Sequence, residues 1–523
     1  MVEISSRGAW RLGATVPALL LWSLATVAAA PAQAPGEAHR QARHQTESDD
    51  YTRYELLAPD TASFHILYEV TATAPGATAY FNPIRKGSDA SGEAIFDRAS
   101  GLPLRFEEVT GEQARQTGMP DADTDMHYLC IHLPHPVPAT GGVRLLIDKT
   151  YKDPKSYYRD GEDRIVFARA LGVRRNTVVL PAGYEVIGCN VPSQVLSEPD
   201  GRIKISFMHS GPDAAPLVVT ARKLGAATST AAASTSTASG STMTAPAPAL
   251  ASAPATAPAA EPAPAPSKAP AVAPAPAAAP AAPHPAAAPA RPAAPAMPAA
   301  PDMDERLSER AHQDRTIVYF LRQPDTHAFD LYHDYTETHE GTDKYLNVVR
   351  PGSASSGPAA LILDTGETLR VETLRGEALR HAGLTAAELH EIAGPDGKIA
   401  PETEVVIAHF QPLAKGQTVR LRISETYTDP RSYRVDNGTL VFDRTFGRPR
   451  NAVVLPAGWY LTASTIPAVV SETPDGRVRL DFMNPRPDEI AVLIHAKHRP
   501  APSTTTSSST STGSVTDTSS ASH

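Results

Sequence analysis

The sequence predicts a mainly β protein with two tandem β-sandwich domains, immunoglobulin-like or saddle-like, joined by a disordered Ala/Pro linker. Three observations predict this fold class. Residues 51–224 and 312–498 carry the same motifs in the same order. Both stretches contain runs that alternate apolar and polar residues, the period of a half-buried strand. Residues 225–311, which separate them, are rich in Ala, Pro, Ser and Thr and cannot bury enough apolar area to fold.

The internal repeat is carried by polar motifs at matching positions. Tyr-x-Asp-Pro-x-Ser-Tyr occurs at 151–157 and again at 427–433. Arg-Asn-x-Val-Val-Leu-Pro-Ala-Gly follows at 175–183 and at 450–458. This order indicates that one domain was duplicated. Residues 51–224 are called the first copy below and residues 312–498 the second copy, and positions that the motifs align are called equivalent.

Strand and turn signals occur at equivalent places in both copies. Residues 143–147 and 419–423 alternate apolar and polar side chains and predict strands. The Asp-Gly pairs at 200–201 and 475–476 lie between extended runs and predict hairpin turns. Several short strands separated by such turns are typical of a β-sandwich.

A helix is predicted only in the second copy. Thr385 and Glu388 have the spacing of a capping box, which predicts a short helix over residues 386–393. The first copy is rich in Pro and Asp at residues 119–123 and is predicted to form a loop there.

The first 30 residues predict a secretory signal peptide. Arg7 and Arg11 form a positive n-region, and an apolar run over 16–30 ends in small residues. The run is short for a span of about 20 residues. We therefore expect cleavage, no remaining transmembrane span, and a location in the periplasm, the cell envelope or the medium. An uncleaved membrane anchor is the alternative.

Three further segments are predicted to be disordered: residues 31–50, the linker at 225–311 and the Ser/Thr-rich tail at 499–523. A Pro-rich linker is semi-extended, so the two copies are expected to be held apart. The net charge is −9, and no basic patch suggests nucleic acid as a partner.

No catalytic motif is recognisable in the sequence. His390-Glu391 and His339-Glu340 begin like the zinc motif H-E-x-x-H, but neither has the second His. A nucleophile elbow and a phosphate-binding loop are also absent from the sequence. We therefore expect no enzyme activity, no catalytic residues and no cofactor.

One group of potential metal ligands lies in the first copy: His127, Cys130, His132 and His135. On a strand, Cys130 and His132 point to one face and His127 to the other. The second copy has His409 equivalent to His132 but Ile407 equivalent to Cys130. An exchange of Cys for Ile is typical of a core position, so no metal site is predicted.

The two cysteines are predicted to form a disulfide. Cys130 and Cys189 both lie in the first copy, and the equivalent Ile407 and Ser464 of the second copy both lack a thiol. Joint presence and joint absence favour a bonded pair, which an exported chain permits. Two independent buried thiols are the alternative.

The polar residues that both copies share are the candidates for a binding surface: Tyr151, Asp153, Tyr157 and Arg175, with Tyr427, Asp429, Tyr433 and Arg450. Tyr and Arg are common in binding surfaces. The structural alternative is that Asp-Pro starts a turn and that the Tyr and Arg side chains close one end of the sandwich.

A strand–turn–strand pattern in the second copy spans residues 405–423, and Leu-Pro-Ala-Gly-Trp follows at 455–459. These segments resemble the N-terminal β-sandwich domain of gluzincin-type aminopeptidases, including the glycyl-aminopeptidase group. In that family the domain is accessory and a separate zinc domain is catalytic. This sequence has no such zinc domain, so the resemblance implies a fold, carries over no catalytic residue, and argues against peptidase activity.

The expected function is that of an exported, non-enzymatic protein whose two modules bind a polysaccharide or a protein outside the cytoplasm. Two alternatives stay open. One is a hydrolase whose site the sequence does not reveal, and the other is a purely structural component of the cell envelope.

Overall fold

The computed structural model of the chain describes residues 45–161, 163–225, 314–394, 397–486 and 488–501. It is mainly β with open sheets, so the predicted fold class is confirmed. The predicted signal peptide lies outside the described residues, as do the linker beyond Gly225 and the tail beyond Ala501. Within the part of the chain that the structure describes, every helix is too short or too polar to cross a lipid bilayer.

The described residues form twenty-six strands in two series. The first series is β1 (Glu47–Leu56), β2 (Ser63–Ala72), β3 (Ala79–Ile84), β4 (Asp89–Asp97), β5 (Phe106–Thr110), β6 (His127–His132), β7 (Val143–Lys152), β8 (Tyr157–Arg159), β9 (Arg164–Leu171), β10 (Arg175–Val179), β11 (Tyr184–Ser197), β12 (Ile203–Met208) and β13 (Ala215–Lys223). The second series is β14 (Arg315–Leu321), β15 (Ala328–Glu337), β16 (Lys344–Val348), β17 (Ala354–Ile362), β18 (Thr368–Arg375), β19 (Glu404–His409), β20 (Val419–Thr428), β21 (Tyr433–Asp436), β22 (Thr439–Phe446), β23 (Arg450–Val454), β24 (Trp459–Glu472), β25 (Val478–Met483) and β26 (Ile490–His498). The helices are α1 (Gly111–Thr117), α2 (Ala386–Ile392) and three 3-10 turns, Pro59–Thr61, Pro324–Thr326 and Gly376–His381.

The two series pair in the same way. β1 runs parallel to β10 with Thr52 beside Asn176, and β14 runs parallel to β23 with Ile317 beside Asn451. β11 pairs antiparallel with both β12 and β13, as β24 does with β25 and β26. In the first series β3-β6-β5 form a separate three-stranded sheet. In the second, β16-β19-β18 pair in the same order, and β17 connects them to the main sheet through β18. The hairpin turns predicted at 200–201 and 475–476 are confirmed, with Gly201 and Gly476 at φ of 83° and 79°.

The observed helices agree only in part with those predicted from the sequence. α2 has the predicted capping box, because Thr385 accepts a hydrogen bond from the Glu388 backbone and Glu388 caps Thr385 in return. The loop predicted at 119–123 is also present. α1, just before it, was not predicted although Thr110 and Gln113 form the same capping box. The signal was in the sequence, but only seven residues follow it.

The first copy begins earlier than residue 51. β1 starts at Glu47, inside the segment 31–50 that was predicted to be disordered. Gln45 precedes it and exchanges two hydrogen bonds with the Phe81 backbone, at 3.1 and 2.8 Å. These bonds satisfy the edge of β3, which explains why a polar segment is ordered.

The chain divides into two compact units that cut across the two copies. One contains residues 45–48, 70–86 and 95–145, and the other contains the rest of the described chain. The second unit joins the two copies because β11 pairs antiparallel with β24. The prediction that the linker holds the copies apart is therefore wrong. Linker composition says nothing about whether the strand edges at its two ends can pair.

The pairing of β11 with β24 aligns Cys189 with Val470, Ser193 with Ala468 and Val195 with Ser464. Two side-chain hydrogen bonds accompany it: Gln194 Nε2 donates to the Thr465 carbonyl at 3.0 Å, and Ser197 Oγ donates to the Thr462 carbonyl at 3.0 Å.

The predicted disulfide is wrong, because Cys130 and Cys189 are both free and buried. Cys130 lies in β6 and packs in a cluster with Phe81 and Tyr128, which belongs to the first compact unit. Cys189 lies in β11 of the other unit, 3.3 Å from Ser193 Oγ. The exchanges to Ile407 and Ser464 in the second copy therefore reflect two separate core positions.

Thiol titration checks this correction. The chain is denatured without reductant and without prior alkylation of its thiols. Both cysteines are then expected to react with a thiol reagent, since the sequence contains 2. The folded chain is expected to react slowly because both thiols are buried. Reductant should leave its unfolding midpoint unchanged. If fewer than two thiols react in the denatured chain, the correction is wrong and the predicted disulfide is present.

Candidate functional site

The shared Tyr-x-Asp-Pro-x-Ser-Tyr motif forms a buried turn after β7 and β20. Asp429 Oδ1 accepts hydrogen bonds from the backbone of Arg431 and Ser432 at 3.2 and 3.1 Å. Its Oδ2 accepts from Ser353 Oγ at 2.9 Å and from Arg444 Nη1 at 3.0 Å. Burial alone would raise the pKa of Asp429, but hydrogen bonds from Ser432 and Ser353 and the charge of Arg444 hold it below its ordinary value.

The first copy repeats this turn. Asp153 Oδ2 accepts from Ser156 Oγ at 2.7 Å, from Ser88 Oγ at 3.0 Å and from Arg169 Nη1 at 3.2 Å. Burial acts to raise the pKa of Asp153, but the hydrogen bonds from Ser156 and Ser88 lower it by more. The pKa of Asp153 therefore lies below its ordinary value. The Asp–Arg pair is buried in both copies, so the motif is part of the core.

The predicted binding surface is therefore wrong for its Tyr and Asp members. Six of the eight residues are buried: Tyr151, Asp153, Tyr157, Tyr427, Asp429 and Tyr433. The hydroxyl of Tyr157 donates to the Leu57 carbonyl at 2.9 Å, and that of Tyr433 donates to the Arg322 carbonyl. Only Arg175 and Arg450 are exposed. The part of the structural alternative in which Asp-Pro starts a turn is confirmed, because Asp153 and Asp429 accept hydrogen bonds from the backbone of that turn.

In the second copy, the Arg444 guanidinium lies among aromatic rings beside this turn. Its carbon is 5.2 Å from the ring centre of Phe329, 5.6 Å from that of Tyr427 and 5.8 Å from that of Tyr319. Aromatic faces favour a desolvated cation at such distances. Together with Asp429 they hold one Nη of Arg444 in a fixed place, beside a cavity that Arg444 helps to line.

This cavity, the Arg444 pocket, has a volume of about 160 Å³. Its polar lining includes His333, Asn347, Arg350, Arg444, Arg448 and Asn451. β15, β16, β22 and β23 supply most of them, so the pocket lies over regular strands and not in a loop.

Three buried polar atoms at this pocket have no hydrogen-bond partner among the described residues: Arg444 Nε, His333 Nδ1 and Asn451 Oδ1. Asn451 Nδ2 is used, since it donates to the Arg448 carbonyl at 2.8 Å, and this fixes the amide with its oxygen unpaired. An unsatisfied buried polar group costs about 1–3 kcal/mol. Water or another polar occupant of the cavity can satisfy such groups.

The electrostatics of the pocket favour an anion. Burial, with the charges of Arg315, Arg448 and Arg444, lowers the pKa of His333 to about 3. The imidazole is therefore neutral at physiological pH and adds no charge. Three guanidinium groups line the pocket. Three carboxylates adjoin the lining: Asp429, which is bound to Arg444, Glu425, which accepts a hydrogen bond from Asn347, and the half-exposed Glu489.

Arg350 also lines the pocket, and its side chain is partly exposed. Its Nη2 donates to the Thr445 carbonyl at 3.1 Å and to Thr445 Oγ1 at 2.7 Å, and lies 3.9 Å from Glu489. Burial and the charge of Arg444 lower the pKa of Arg350. Asp429, the ion-pair partner of Arg444, acts in the opposite direction on the pKa of Arg350 and is therefore a counterion of both cations.

The polar lining differs between the copies at two positions. The first copy keeps Arg85, Arg169 and Asn176 at the positions of Arg350, Arg444 and Asn451. It has Tyr68 where the second has His333, and Val173 where the second has Arg448. Sequence analysis missed this site because it searched for residues that the copies share. The differences at His333 and Arg448 were the signal that could have found it.

Comparison with known proteins does not assign the chain to a family. No family model and no curated protein matches it. An M1 zinc metallopeptidase from Deinococcus radiodurans is similar at a TM-score of 0.24 and 11% identity, over 35% of this chain and 43% of that one. An aminopeptidase N family protein from Idiomarina loihiensis gives 0.23 and 12%, over 34% of this chain and 30% of that one. The chain spans less than half the length of either protein, and such scores carry no argument about function. The resemblance to aminopeptidase accessory domains stays a prediction.

Proposed function

We propose that the protein is an exported, non-enzymatic binding protein whose second copy holds a carboxylate-bearing ligand in the Arg444 pocket. The observation that carries the proposal is the set of three buried, unpaired polar atoms around one cavity, Arg444 Nε, His333 Nδ1 and Asn451 Oδ1. Export is supported by the n-region and apolar run of residues 1–30.

The ligand class follows from the donors and the volume. Arg binds carboxylates through paired N–H donors, and the buried Nε of Arg444 has no partner among the described residues. Asn451 Oδ1 can accept from a hydroxyl of the same ligand. A volume of about 160 Å³ is well below the roughly 300–1,000 Å³ of drug-sized pockets. The fitting group is small, such as one acidic sugar or one carboxylate terminus of an extracellular polymer.

The non-enzymatic part of the proposal rests on the groups at the pocket. General base catalysis needs a pKa near the operating pH. His333, whose pKa is lowered to about 3, is a poor base at neutral pH. The described residues that line the pocket include no Ser or Cys that could act as a nucleophile. Binding is therefore better supported than hydrolysis.

Titration calorimetry of the full chain with glucuronate tests the proposal, with glucose as the neutral match. We expect glucuronate to bind and glucose to bind far more weakly. The variant Arg448→Val, which copies Val173 of the first copy, is expected to weaken glucuronate binding by roughly tenfold to hundredfold, since a hydrogen bond to a charged group contributes about 1.5–3 kcal/mol.

The control is Arg450→Ala, which removes an exposed guanidinium of the same copy that is paired with Asp314 and Thr316. It should bind glucuronate as the unaltered chain does. Equal binding by Arg448→Val and the unaltered chain would exclude the Arg444 pocket as the site. If acetate and glucuronate both fail to bind at millimolar concentration, the pocket holds only water and the structural-component alternative gains support.

A further inference from the structure

We propose that Glu107, Cys130 and His132 form a zinc-binding site in the first copy, with a fourth coordination position open to water. Nothing in the function proposed above uses these residues. Each offers one ligand atom, and the three ligand atoms lie within 4.8 Å of one another. Thiolate, imidazole and carboxylate are the three side-chain ligands that proteins use for Zn²⁺.

The geometry comes from the pairing of two strands. Cys130 and His132 are two residues apart on β6 and share one face. β5 runs antiparallel to β6 with Glu107 directly beside Cys130, which brings its carboxylate to the same face. His132 Nε2 lies 3.5 Å from Glu107 Oε1. The carboxylate is the ligand that spacing along one strand cannot reveal. The prediction of no metal site considered only the residues of β6 and the exchange of Cys130 for Ile407.

The distances require little movement to hold an ion. Zinc bonds of about 2.3 Å to sulfur and about 2.0 Å to nitrogen and oxygen place tetrahedral ligands roughly 3.3–3.5 Å apart. The His132 and Glu107 side chains are 54% and 63% exposed, so both can adjust their rotamers. Cys130 is 4% exposed and packs with Phe81 and Tyr128, so it supplies a fixed ligand at the base of the site.

The second copy shows what this face looks like without the thiol. His409 and Glu372 occupy the positions of His132 and Glu107, with Ile407 in place of Cys130. There His409 Nε2 and Glu372 Oε1 are 2.8 Å apart, a direct hydrogen bond. In the first copy the same pair is 3.5 Å apart, and the separation leaves room for an ion between the imidazole, the carboxylate and the thiol.

The thiol must lose its proton to bind zinc. Burial and the charge of Glu107 raise the pKa of Cys130 to about 11, so the metal-free thiol is protonated at neutral pH. Zn²⁺ forms the Zn–S bond as the S–H bond breaks, and the proton leaves to solvent. No electron transfer is involved.

Cobalt titration of the reduced full chain tests the site, because Co²⁺ occupies zinc sites and shows a thiolate-to-metal charge-transfer band in the near ultraviolet. We expect one Co²⁺ per chain to produce this band and Zn²⁺ to abolish it by displacement. Cys130→Ile, which copies the second copy, should remove the band. Cys189→Ser, which removes the other buried thiol, should keep it.

His132→Ala tests the site without touching the core. It should weaken Co²⁺ binding roughly tenfold or more, a loss of at least about 1.4 kcal/mol. The matched control is His127→Ala on the same strand, where His127 faces away and pairs with Glu108 at 2.6 Å. Absence of the band, its persistence in Cys130→Ile, or equal binding by His132→Ala and His127→Ala would each overturn the proposal.

Discussion

Glu185→Ala is expected to lower the free energy of unfolding of the full chain by about 3 kcal/mol. Glu185 lies in β11 with a side chain that is 1% exposed. It accepts hydrogen bonds from Arg222 Nε at 3.0 Å and from Arg499 Nε and Nη2 at 2.8 and 3.0 Å. Arg222 has a second partner in Glu472, at 2.5 Å, but no other hydrogen bond of the Arg499 guanidinium is recorded among the described residues. Removing Glu185 therefore leaves a largely buried cation uncompensated.

This carboxylate also reports on the contact between the copies. Glu185 belongs to the first copy, and Arg499 follows the last strand of the second. Urea unfolding of the full chain measures the loss. The control is Asp436→Ala, which breaks an exposed pair with Arg434 and should change stability by less than about 1 kcal/mol. A loss for Glu185→Ala no larger than that of the control would show that the two copies are not joined in this way.

The second large effect is a pH dependence caused by Glu425. Its carboxylate is buried in β20 and accepts hydrogen bonds from Ser355 Oγ at 2.6 Å and from Asn347 Nδ2. Burial, with a smaller contribution from Glu404, raises the pKa of Glu425 from 4.5 to about 7. The folded state therefore holds a proton between these two pH values that the unfolded state has lost. Stability from this group is fully present below about pH 4.5 and is lost as the pH rises through about 7.

Glu425→Gln should remove this dependence. The amide keeps the size of the side chain and the acceptor for Asn347, and it cannot ionise. The variant should match the unaltered chain near pH 4.5 and exceed its unfolding free energy at pH 8 by about 3 kcal/mol, the equivalent of the pKa shift. Burial lowers the pKa of Lys149 to about 7. Lys149 titrates in both proteins, so its contribution cancels in the difference between their unfolding free energies. Urea midpoints at pH 4.5, 6 and 8 measure the effect. A constant difference across this range would contradict it.

Local features were predictable because their signals are local. Alternation at 143–147 and 419–423 specifies which side chains face the core, and β7 and β20 have this pattern. Asp-Gly turns and the Thr385 capping box have short-range mechanisms that do not depend on the rest of the fold. These features established the fold class.

Features that depend on distant parts of the chain were not predictable. The pairing of β11 with β24 joins strands that the long linker separates in sequence. Polar residues such as Asp153 and Tyr151 appeared suited to a surface, yet Arg169 and Ser88 satisfy Asp153 in the core. The Arg444 pocket gathers side chains from six strands of one copy, which no spacing along the sequence indicates.

The register of β11 against β24 has a consequence for how the two copies could change. Cys189 pairs with Val470 and Val195 with Ser464, and Ser193 pairs with Ala468, its own equivalent. Each copy thus contributes the same positions, which is the rule for an isologous dimer. In a homodimer every substitution appears on both sides of the axis. Once both partners are encoded in one chain, that constraint is lifted, and one half can carry Arg448 and His333 while the other carries Cys130.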